Sequence, residues 1–530
     1  MYFDYAAATP VDKKVLVAML PYFSDRFYNP SAAYGAARDV RADYLAAKHR
    51  IAQVIGAKPG EIIMTAGATE SINLAFQVVK IGSSTSTHQN NSPEHAVEFR
   101  DEKPSSRISE SPQVPALENS NQEVFSGNSK RIQWNNSGAP SDLGSASFIL
   151  TTPVEHQAVL SCAAVKVIPV DEFGRISVEN LREYISPMYI PQSREKDEQD
   201  SSFSSRLSEY ITDDIKLISI GYANNEIGTV QPIKEVAEVV AEVRAERAKK
   251  GIKTPIYLHT DASQAAGLLD INVAWLGVDM MTLNAGKCYG PKQVGCLYVR
   301  AGVKLSPLIR GGGQEMGLRS GTENVAGAVG FAVALEIAEK KRKSEIRRLE
   351  ALRDDLEKYI TTVIARSVTT KQSRLNESTA PITDGRASEI DAGQARITMH
   401  AAPSTKSEGS GAVDIREETQ SGSLRYARDD IVVNGHKKHR LPNILNFSVP
   451  GLDAERAVFA LDQRGVQVAT GSACAANKGT RSHVLTAIGL TPELADGSIR
   501  ISMGRGTTKA QIEKLKPILK EVITTETNLS

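Results

Sequence analysis

Lys287 is the residue of this sequence with the clearest chemical potential. It lies on a turn marked by Gly286 and Gly290, between two apolar segments, residues 278–283 and 294–299, which have the composition of buried strands. Burial lowers the pKa of a lysine and makes its amine a nucleophile towards carbonyl groups, as in Schiff-base lysines. The turn therefore favours a reactive lysine, and the alternative is an exposed lysine at the tip of a hairpin.

Polar side chains also follow other apolar segments of the chain. Thr69, His156, Asn225 and Asp261 come at or just after the ends of predicted strands, and Gln264 follows Asp261 closely. Ligands bind at the carboxyl ends of the strands in open α/β sheets, so we expect these side chains at a common site. Each also has a structural alternative, because aspartate is a frequent helix N-cap and histidine often only supports a fold.

A small-residue turn after the predicted strand 62–65 has the features of an anion site. It carries Gly67, Ala68 and Thr69 and leads into an apolar helix. The free N–H groups and the dipole at the start of a helix attract phosphate. The turn is weakly specific when taken alone, because any strand–helix unit can carry a glycine there.

Cys474 differs from the other cysteines in its surroundings. It lies in a run of small and polar residues that suits an exposed loop, whereas Cys162, Cys288 and Cys296 lie in apolar or strand contexts and are expected to be inert. Four cysteines in 530 residues do not make a disulfide framework, and no C-x-x-C pair suggests zinc. We therefore expect no metal site.

Composition places the chain among large globular proteins. Its 530 residues, 41% of them hydrophobic, suffice for two or three domains. The 63 Lys and Arg residues nearly balance the 62 Asp and Glu residues, so no overall field attracts nucleic acid or an anionic membrane. No apolar stretch has transmembrane length, and the N-terminal sequence lacks the features of a signal or transit peptide. These observations predict a soluble, cytoplasmic protein that binds neither nucleic acid nor membrane.

The elements that must position these residues alternate between strand and helix. This alternation predicts an α/β domain with a largely parallel sheet. Residues 1–13 suggest a short strand and a turn, and a long helix is predicted over residues 325–364. That helix is apolar first and then charged, which is typical of a helix that leaves a core for solvent. Three stretches, about 82–145, 190–210 and 366–428, are rich in polar residues and are predicted to be disordered or loosely ordered insertions.

Short motifs recur along the chain in a fixed order. They are YAAATP (5–10), NPS (29–31), AGATES (66–71), EH (155–156), NNEIG (224–228), HTDASQ (259–264), GK (286–287), YGPK (289–292), RSGT (319–322), GSAC (471–474) and SIR (498–500). In this order they resemble the cysteine desulfurases of the NifS/IscS type, which are pyridoxal-phosphate enzymes of the class V aminotransferase family. The resemblance spans nearly the whole chain except the three polar stretches.

The resemblance implies the fold of type I pyridoxal-phosphate-dependent transferases. A large cofactor-binding domain, residues 14–341, would contain a mostly parallel seven-stranded sheet. A smaller α/β domain would combine residues 1–13 with residues 342–530, and its segment 470–482 would form the loop of the catalytic cysteine. The resemblance also implies a homodimer.

The resemblance further implies roles for individual residues. Lys287, His156 and Cys474 would be catalytic, with Lys287 forming the Schiff base, His156 stacking on the cofactor ring and moving protons, and Cys474 taking the sulfur. Pyridoxal 5'-phosphate (PLP) would be held by Ala68, Thr69, His156, Asn225, Asp261, Gln264, Asn284, Lys287 and, from the partner subunit, Thr322. L-cysteine would be bound by Asn29, Asn225 and Arg500, of which Arg500 presents a planar fork to the substrate carboxylate. Arg500 could otherwise be a surface charge at a strand end.

The implied reaction converts L-cysteine to L-alanine and leaves a persulfide on Cys474. The spacing from Cys474 to SHVL (482–485) resembles the group whose long loop hands sulfur to acceptor proteins. The acceptor would be an iron–sulfur scaffold protein or a tRNA-thiolation enzyme. Two alternatives are another class V PLP enzyme, such as an aminotransferase or a selenocysteine lyase, and a non-catalytic sulfur-relay or scaffold protein.

Two positions depart from the family pattern. The family usually has Ser-Gly-His before the lysine, whereas this chain has Asn284, Ala285 and Gly286 before Lys287. Both usual side chains contact the cofactor phosphate. Asn284 can still donate a hydrogen bond, but Gly286 offers only its backbone, so weaker cofactor binding or a substituting water is expected. Tyr34 also replaces the histidine that usually follows the Asn-Pro-Ser motif.

Overall fold

The structure is a computed structural model that describes residues 1–80, 148–162, 165–185, 215–366, 431–471 and 481–527. The three predicted polar insertions lie outside these residues, except for residue 366, and so does the segment 472–480 that contains Cys474. Within the described ranges, no helix is both long enough and apolar enough to cross a membrane.

Seven strands of the described chain form the larger sheet. They are β1 Ile62–Thr65, β2 Phe148–Thr151, β3 Val165–Val167, β4 Ile215–Ser219, β5 Tyr257–Asp261, β6 Met280–Asn284 and β7 Gly295–Val299. Their order in the sheet is β1-β7-β6-β5-β4-β2-β3. β7 runs antiparallel to β1 and β6, and the other neighbours are parallel, so the predicted mostly parallel sheet is confirmed.

The larger sheet is buried on both faces, which explains the continuous apolar sequences of its strands. In β1, Ile62 and Met64 pack into one hydrophobic core and Ile63 packs into another. The same alternation occurs in β7, where Cys296 and Leu297 belong to different cores. Successive side chains of a strand point to opposite faces, so each strand supplies apolar groups to both layers.

Helices pack around this sheet and lead into its strands. They are α1 Lys13–Met19, α2 Pro21–Ser24, α3 Gly35–Ile55, α4 Ala68–Ala75, α5 Gln157–Leu160, α6 Val178–Ile185, α7 Ile233–Lys249, α8 Val273–Leu276 and α9 Val325–Tyr359. α3 buries Val40, Tyr44, Ala47 and Ile51, whose spacing places them on one helical face. It ends at Gly56, whose φ of 71° suits a glycine C-cap.

A second sheet lies in the last third of the described chain. It contains β8 Val432–Asn434, β9 Ile444–Ser448, β10 Ala469–Thr470 and β11 Ser498–Ser502, all paired antiparallel in the order β10-β11-β9-β8. The accompanying helices are α10 Ala454–Gln463, α11 His483–Ala487, α12 Pro492–Asp496 and α13 Lys509–Glu526. Phe447, Ile499, Ile501 and Leu519 are fully buried in its core.

The long helix α9 connects the two cores. Phe331 and Leu335 belong to the core of the larger sheet, and Leu349, Leu352 and Leu356 belong to the core of the smaller one. The prediction that the charged half of this helix leaves a core for solvent is therefore wrong. The three leucines recur every three or four residues among the charges, and they give that half a second apolar face.

The N-terminal residues do not form the predicted strand. Tyr2 and Asp4 each make a single bridge, with Gln467 and Ser502 respectively, and Phe3 is fully buried between them in the core of the smaller sheet. Isolated bridges form here because the segment crosses the edge of existing strands instead of pairing along one. This crossing brings the next residues, Ala6 and Ala7, to the cavity described below.

Candidate active site

A cavity of about 260 Å³ lies at the carboxyl ends of the parallel strands. Residues that end or follow β2, β4, β5 and β6 line it, because these strand ends meet at the same edge of the sheet. Of the residues predicted to act at the site, the lining contains Ala68, Thr69, His156, Asn225, Asp261, Gln264, Asn284, Lys287 and Arg500.

Three predicted site residues are not part of this lining. Asn29 is exposed, and its Oδ1 accepts a hydrogen bond from the backbone N–H of Ser31 at 2.9 Å, which closes a local turn. Thr322 is also exposed and lies outside the cavity lining. Cys474 lies outside the described residues.

Lys287 ends a short 3-10 turn, Ala285–Lys287, that directly follows β6. Its Nζ donates hydrogen bonds to the carbonyl oxygens of Ala6 and Ala7, both at 2.7 Å. The side chain is half-buried and reaches the cavity. This position differs from the exposed hairpin tip that the sequence left open as an alternative.

Asn284 holds the turn that carries Lys287. Its Oδ1 accepts a hydrogen bond from the backbone N–H of Gly286 at 3.0 Å. Because the backbone group is the donor, the side-chain oxygen must face it, and the NH₂ group of Asn284 remains the donor of that side chain. A Cβ added at Gly286 would lie 3.4 Å from Asn284 Oδ1, an ordinary contact, so the position has room for a side chain.

Asp261 ends β5 and meets both interpretations that the sequence allowed. Its Oδ1 accepts a hydrogen bond from the backbone N–H of Ser263 at 2.9 Å and caps the turn that follows the strand, and the residue also lines the cavity. His259 lies two residues earlier and is fully buried, with ring nitrogens 2.9 Å from Ser219 Oγ and 2.9 Å from Thr282 Oγ1. Burial lowers the pKa of His259 to about 4, so a neutral ring links β5 to both neighbouring strands.

His156 is the N-cap residue of α5. Its Nδ1 accepts a hydrogen bond from the backbone N–H of Ala158 at 3.1 Å, and its side chain is exposed at the cavity. Because Nδ1 is the acceptor, the neutral ring carries its proton on Nε2. The free edge of the imidazole can therefore donate a proton.

The turn before α4 forms another part of the lining. Gly67 is the N-cap residue with a φ of 125°, a conformation that other residues rarely adopt, and Ala68 and Thr69 are the first helical residues. The first N–H groups of a helix have no acceptor within the helix. This part of the cavity therefore presents backbone donors and the positive end of the helix dipole.

Arg500 lies in the middle of β11 and is 1% exposed, which excludes a surface charge at a strand end. Its guanidinium donates to Asp4 Oδ1 at 2.6 Å and to the carbonyl oxygen of Asn225 at 3.0 Å. Its Nε has no hydrogen-bond partner among the described residues. The cavity thus contains a buried cation with donor capacity left over.

Glu155 is a lining residue to which the sequence assigned no role. It is buried and accepts hydrogen bonds from Thr152 Oγ1 at 2.6 Å and from the backbone N–H of Gly221 at 2.8 Å. Burial raises the pKa of its carboxyl to about 7. The sequence contained no signal for this, because burial of a glutamate beside a histidine depends on the strand that packs over it.

Glu226 is a second lining residue without an earlier role. It is 1% exposed and accepts a hydrogen bond from Ser482 Oγ at 2.6 Å. A Cβ added at Gly471 would lie 2.9 Å from a Glu226 carboxylate oxygen and 3.1 Å from Ser482 Cβ. Gly471 and Ser482, the described residues nearest to segment 472–480, therefore both lie beside this cavity residue.

The three cysteines of the described ranges are poor nucleophiles. Cys288 and Cys296 are buried, and burial raises the pKa of both thiols, that of Cys288 to about 12. Cys162 is half-buried, donates to the carbonyl oxygen of Ala158 at 3.3 Å and has a pKa raised by burial. The thiolate is the reactive form, so these three remain protonated and unreactive near neutral pH.

Comparison with known proteins gives consistent results along the chain. The sequence pattern of the aminotransferase class-V family matches residues 1–89, 192–392 and 419–515. Cysteine desulfurase IscS from Dictyoglomus turgidum is 32% identical over 525 residues, which cover 99% of this chain and 94% of that protein. Among solved structures, a NifS-like protein has a TM-score of 0.62 at 25% identity and covers 99% of both chains. SspA in complex with cysteine has a TM-score of 0.55 at 26% identity and covers 95% of this chain and 98% of its own. These likenesses confirm the predicted type I fold.

Proposed function

We propose, from the premise that this chain belongs to the class V aminotransferase family, that this PLP-dependent enzyme is a cysteine desulfurase. It would convert L-cysteine to L-alanine and transfer the sulfur to Cys474. The observation that carries the proposal is one cavity lined by the amine of Lys287, the carboxylate of Asp261 and the guanidinium of Arg500. The name of the Dictyoglomus relative and the cysteine bound to SspA support the choice of substrate.

The lining residues fit PLP at each of its functional groups. Lys287 offers an amine to the aldehyde, Asp261 a carboxylate to the pyridinium nitrogen, and the start of α4 offers N–H groups to the phosphate. Ser263 Oγ is buried in the lining and has no hydrogen-bond partner within the described ranges, as expected of a group that a polar ligand satisfies. When bound, PLP supplies the electron sink that lets bonds at the substrate carbons break.

The residues of this chain would then bind the substrate and move protons. Arg500 would bind the carboxylate of L-cysteine, since a buried guanidinium forms strong charge-assisted hydrogen bonds. Lys287 Nζ would take the proton from the substrate Cα. His156, with its proton on Nε2, would donate a proton at the open side of the cavity.

The sulfur transfer requires a thiolate, which we assign to Cys474. Its Sγ would form a bond to the substrate sulfur while the substrate bond between Cβ and sulfur breaks. The electron pair of the broken bond stays with the substrate carbon, and protonation there gives alanine. Three residues separate Gly471 from Cys474, and three extended residues span at most about 11 Å, so a cysteine at this position can reach the cavity. The resulting persulfide would pass to an iron–sulfur scaffold protein or a tRNA-thiolation enzyme.

We also propose that the enzyme acts as a homodimer. Five apolar side chains on or near the short helices α1 and α2 are between 50% and 66% exposed, namely Leu16, Val17, Leu20, Phe23 and Phe27. Groups of exposed apolar residues like this commonly mark interaction surfaces. Thr322 is exposed outside its own cavity, which suits a residue that reaches the cofactor of the partner subunit.

The proposal retains the two-domain division and the cellular location expected from the sequence. Residues 14–341 would form the cofactor domain, and residues 1–13 with 342–530 the smaller one, each with a sheet and a core of its own. The enzyme would work in the cytoplasm, where free thiols and a persulfide persist.

The test is to incubate the purified protein with PLP, L-cysteine and a thiol reductant and to measure alanine and sulfide together. We expect equal amounts of both. Cys474→Ala should abolish sulfide release but retain the absorbance of bound PLP, and Cys162→Ala is the matched control that should retain activity. Full activity of Cys474→Ala would contradict the assignment, and turnover with a keto acid without sulfide would favour an aminotransferase.

A further inference from the structure

Glu70 places a negative charge beside the turn that would hold the cofactor phosphate. It is the third residue of α4, directly after Thr69. Its Oε2 accepts a hydrogen bond from the backbone N–H of Ala66 at 3.0 Å and thereby closes the turn. A carboxylate in the first turn of a helix is favoured by the helix dipole, but it repels an anion that binds the same N–H groups.

Arg319 provides the opposite charge at this place. Its Nε donates to Glu70 Oε1 at 2.8 Å, with the arginine and glutamate side chains 24% and 16% exposed. Neither Arg319 nor Glu70 lines the cavity. The pair therefore lies behind the turn, where it acts on a ligand only through the turn and through its net charge.

The segment that carries Arg319 is fixed to the same part of the larger sheet. Glu315 has a φ of 47° and a buried side chain. Its Oε2 accepts hydrogen bonds from the backbone N–H of Met64 at 2.8 Å and from Lys48 Nζ at 2.9 Å, and its Oε1 accepts one from the hydroxyl of Tyr44. Met64 precedes the turn and Glu70 follows it, so residues 315–319 hold the turn from both ends.

We propose that Arg319 and Glu70 are a positioning pair for the phosphate of the cofactor. Glu70 shapes the turn between β1 and α4, and Arg319 neutralises the charge that this shaping introduces. A phosphate monoester then meets the N–H groups and the helix dipole without an unpaired carboxylate beside them. This inference rests on the proposed function, because it assigns the phosphate of PLP to this turn.

Two ligands and four variants test the pair. The full-length apoprotein is titrated with PLP and with pyridoxal, which lacks the phosphate, and binding is followed by absorbance. We expect Arg319→Ala to raise the Kd of PLP by about tenfold and to leave the Kd of pyridoxal within about twofold, because the unpaired charge acts mainly on the phosphate. Arg319→Lys keeps the positive charge and should bind PLP nearly as the wild type does.

The double variant separates a charge effect from a general loss of structure. Glu70→Gln keeps an oxygen for the N–H of Ala66 but removes the charge, so Glu70→Gln combined with Arg319→Ala should recover most of the lost PLP affinity. Arg464→Ala breaks a comparable pair with Glu521, 2.9 Å apart between α10 and α13, and should change neither Kd.

The outcomes distinguish this inference from the proposed function. If the wild-type protein binds no PLP, the proposed function is wrong and this inference falls with it. If the wild type binds PLP, but Arg319→Ala weakens PLP and pyridoxal equally or the double variant recovers nothing, only the positioning role is overturned.

Discussion

Replacing Arg500 with lysine would remove a planar fork from the cavity and keep its positive charge. The guanidinium donates to Asp4 and to the carbonyl oxygen of Asn225, at 2.6 and 3.0 Å, and has a further N–H without a described partner. Lysine has a single nitrogen and cannot satisfy Asp4, Asn225 and a substrate carboxylate together. We therefore expect kcat/KM for L-cysteine to fall in Arg500→Lys.

The size of the effect follows from the bond that would be lost. A hydrogen bond to a charged group contributes about 1.5–3 kcal/mol, so the loss of one to the substrate carboxylate lowers kcat/KM roughly 10- to 150-fold. Lysine is the better test than alanine, because Arg500→Ala would leave the carboxylate of Asp4 without its partner and destabilise the fold as well.

The assay measures alanine release at several concentrations of L-cysteine with PLP in excess, and the Tm of each variant is recorded in parallel. Arg353→Lys is the matched control. Arg353 is also a buried arginine, 6% exposed, that donates to the carbonyl oxygen of Leu441 at 2.8 Å, but it does not line the cavity. Its variant should lose stability and keep kcat/KM.

One result would refute the reasoning about Arg500. If Arg500→Lys binds PLP and keeps kcat/KM within about threefold of the wild type, the fork does not bind the substrate carboxylate. A fall in kcat/KM for both arginine variants in proportion to their Tm would also reject it, because the loss would then reflect stability alone.

Two further predictions concern Glu155 and Gly286. Burial raises the pKa of Glu155 from 4.5 to about 7, so the folded protein binds a proton that the unfolded chain has released in this range. The free energy of unfolding should therefore decrease by roughly 3 kcal/mol as the pH rises from about 4.5 to about 7, and Glu155→Gln should remove this decrease, measured as Tm at pH 5 and pH 8. Gly286→His restores the residue that the resemblance leads one to expect, at a position with room for a side chain, and should slow the loss of PLP on dialysis; unchanged or faster loss would exclude a phosphate contact there.

The larger sheet could be predicted because its strands are short, apolar and buried on both faces. Residues 62–65 and 215–219 show this directly, since nearly every side chain in them is apolar. The N-terminal segment could not be predicted in the same way. Phe3 is buried only because residues of β9 and β11, more than 400 positions away, form a core around it.

The site could be predicted where a residue follows a strand and has a side chain with distinctive chemistry. Asp261 and Lys287 are examples, because sequence order fixes which end of a parallel strand they occupy. Glu155 and the pairing of Asp4 with Arg500 depend on packing between distant segments, and neither has a local signature. The strand-end interpretation of Arg500 is wrong for this reason, since its burial comes from the N-terminal segment and from Asn225.

The N-terminal segment also has a consequence for the time at which the enzyme becomes complete during its synthesis. The N–H of Ala6 donates to Ser502 Oγ, 496 residues further along the chain, and Asp4 meets Arg500 at the same separation. A ribosome adds about 5–20 residues per second, so it needs roughly 25–100 s to supply these partners. Lys287 is made long before β11 can hold the carbonyl groups of Ala6 and Ala7 against it. A nascent or truncated chain is therefore not expected to capture the cofactor, and the active site would form only when translation is nearly finished.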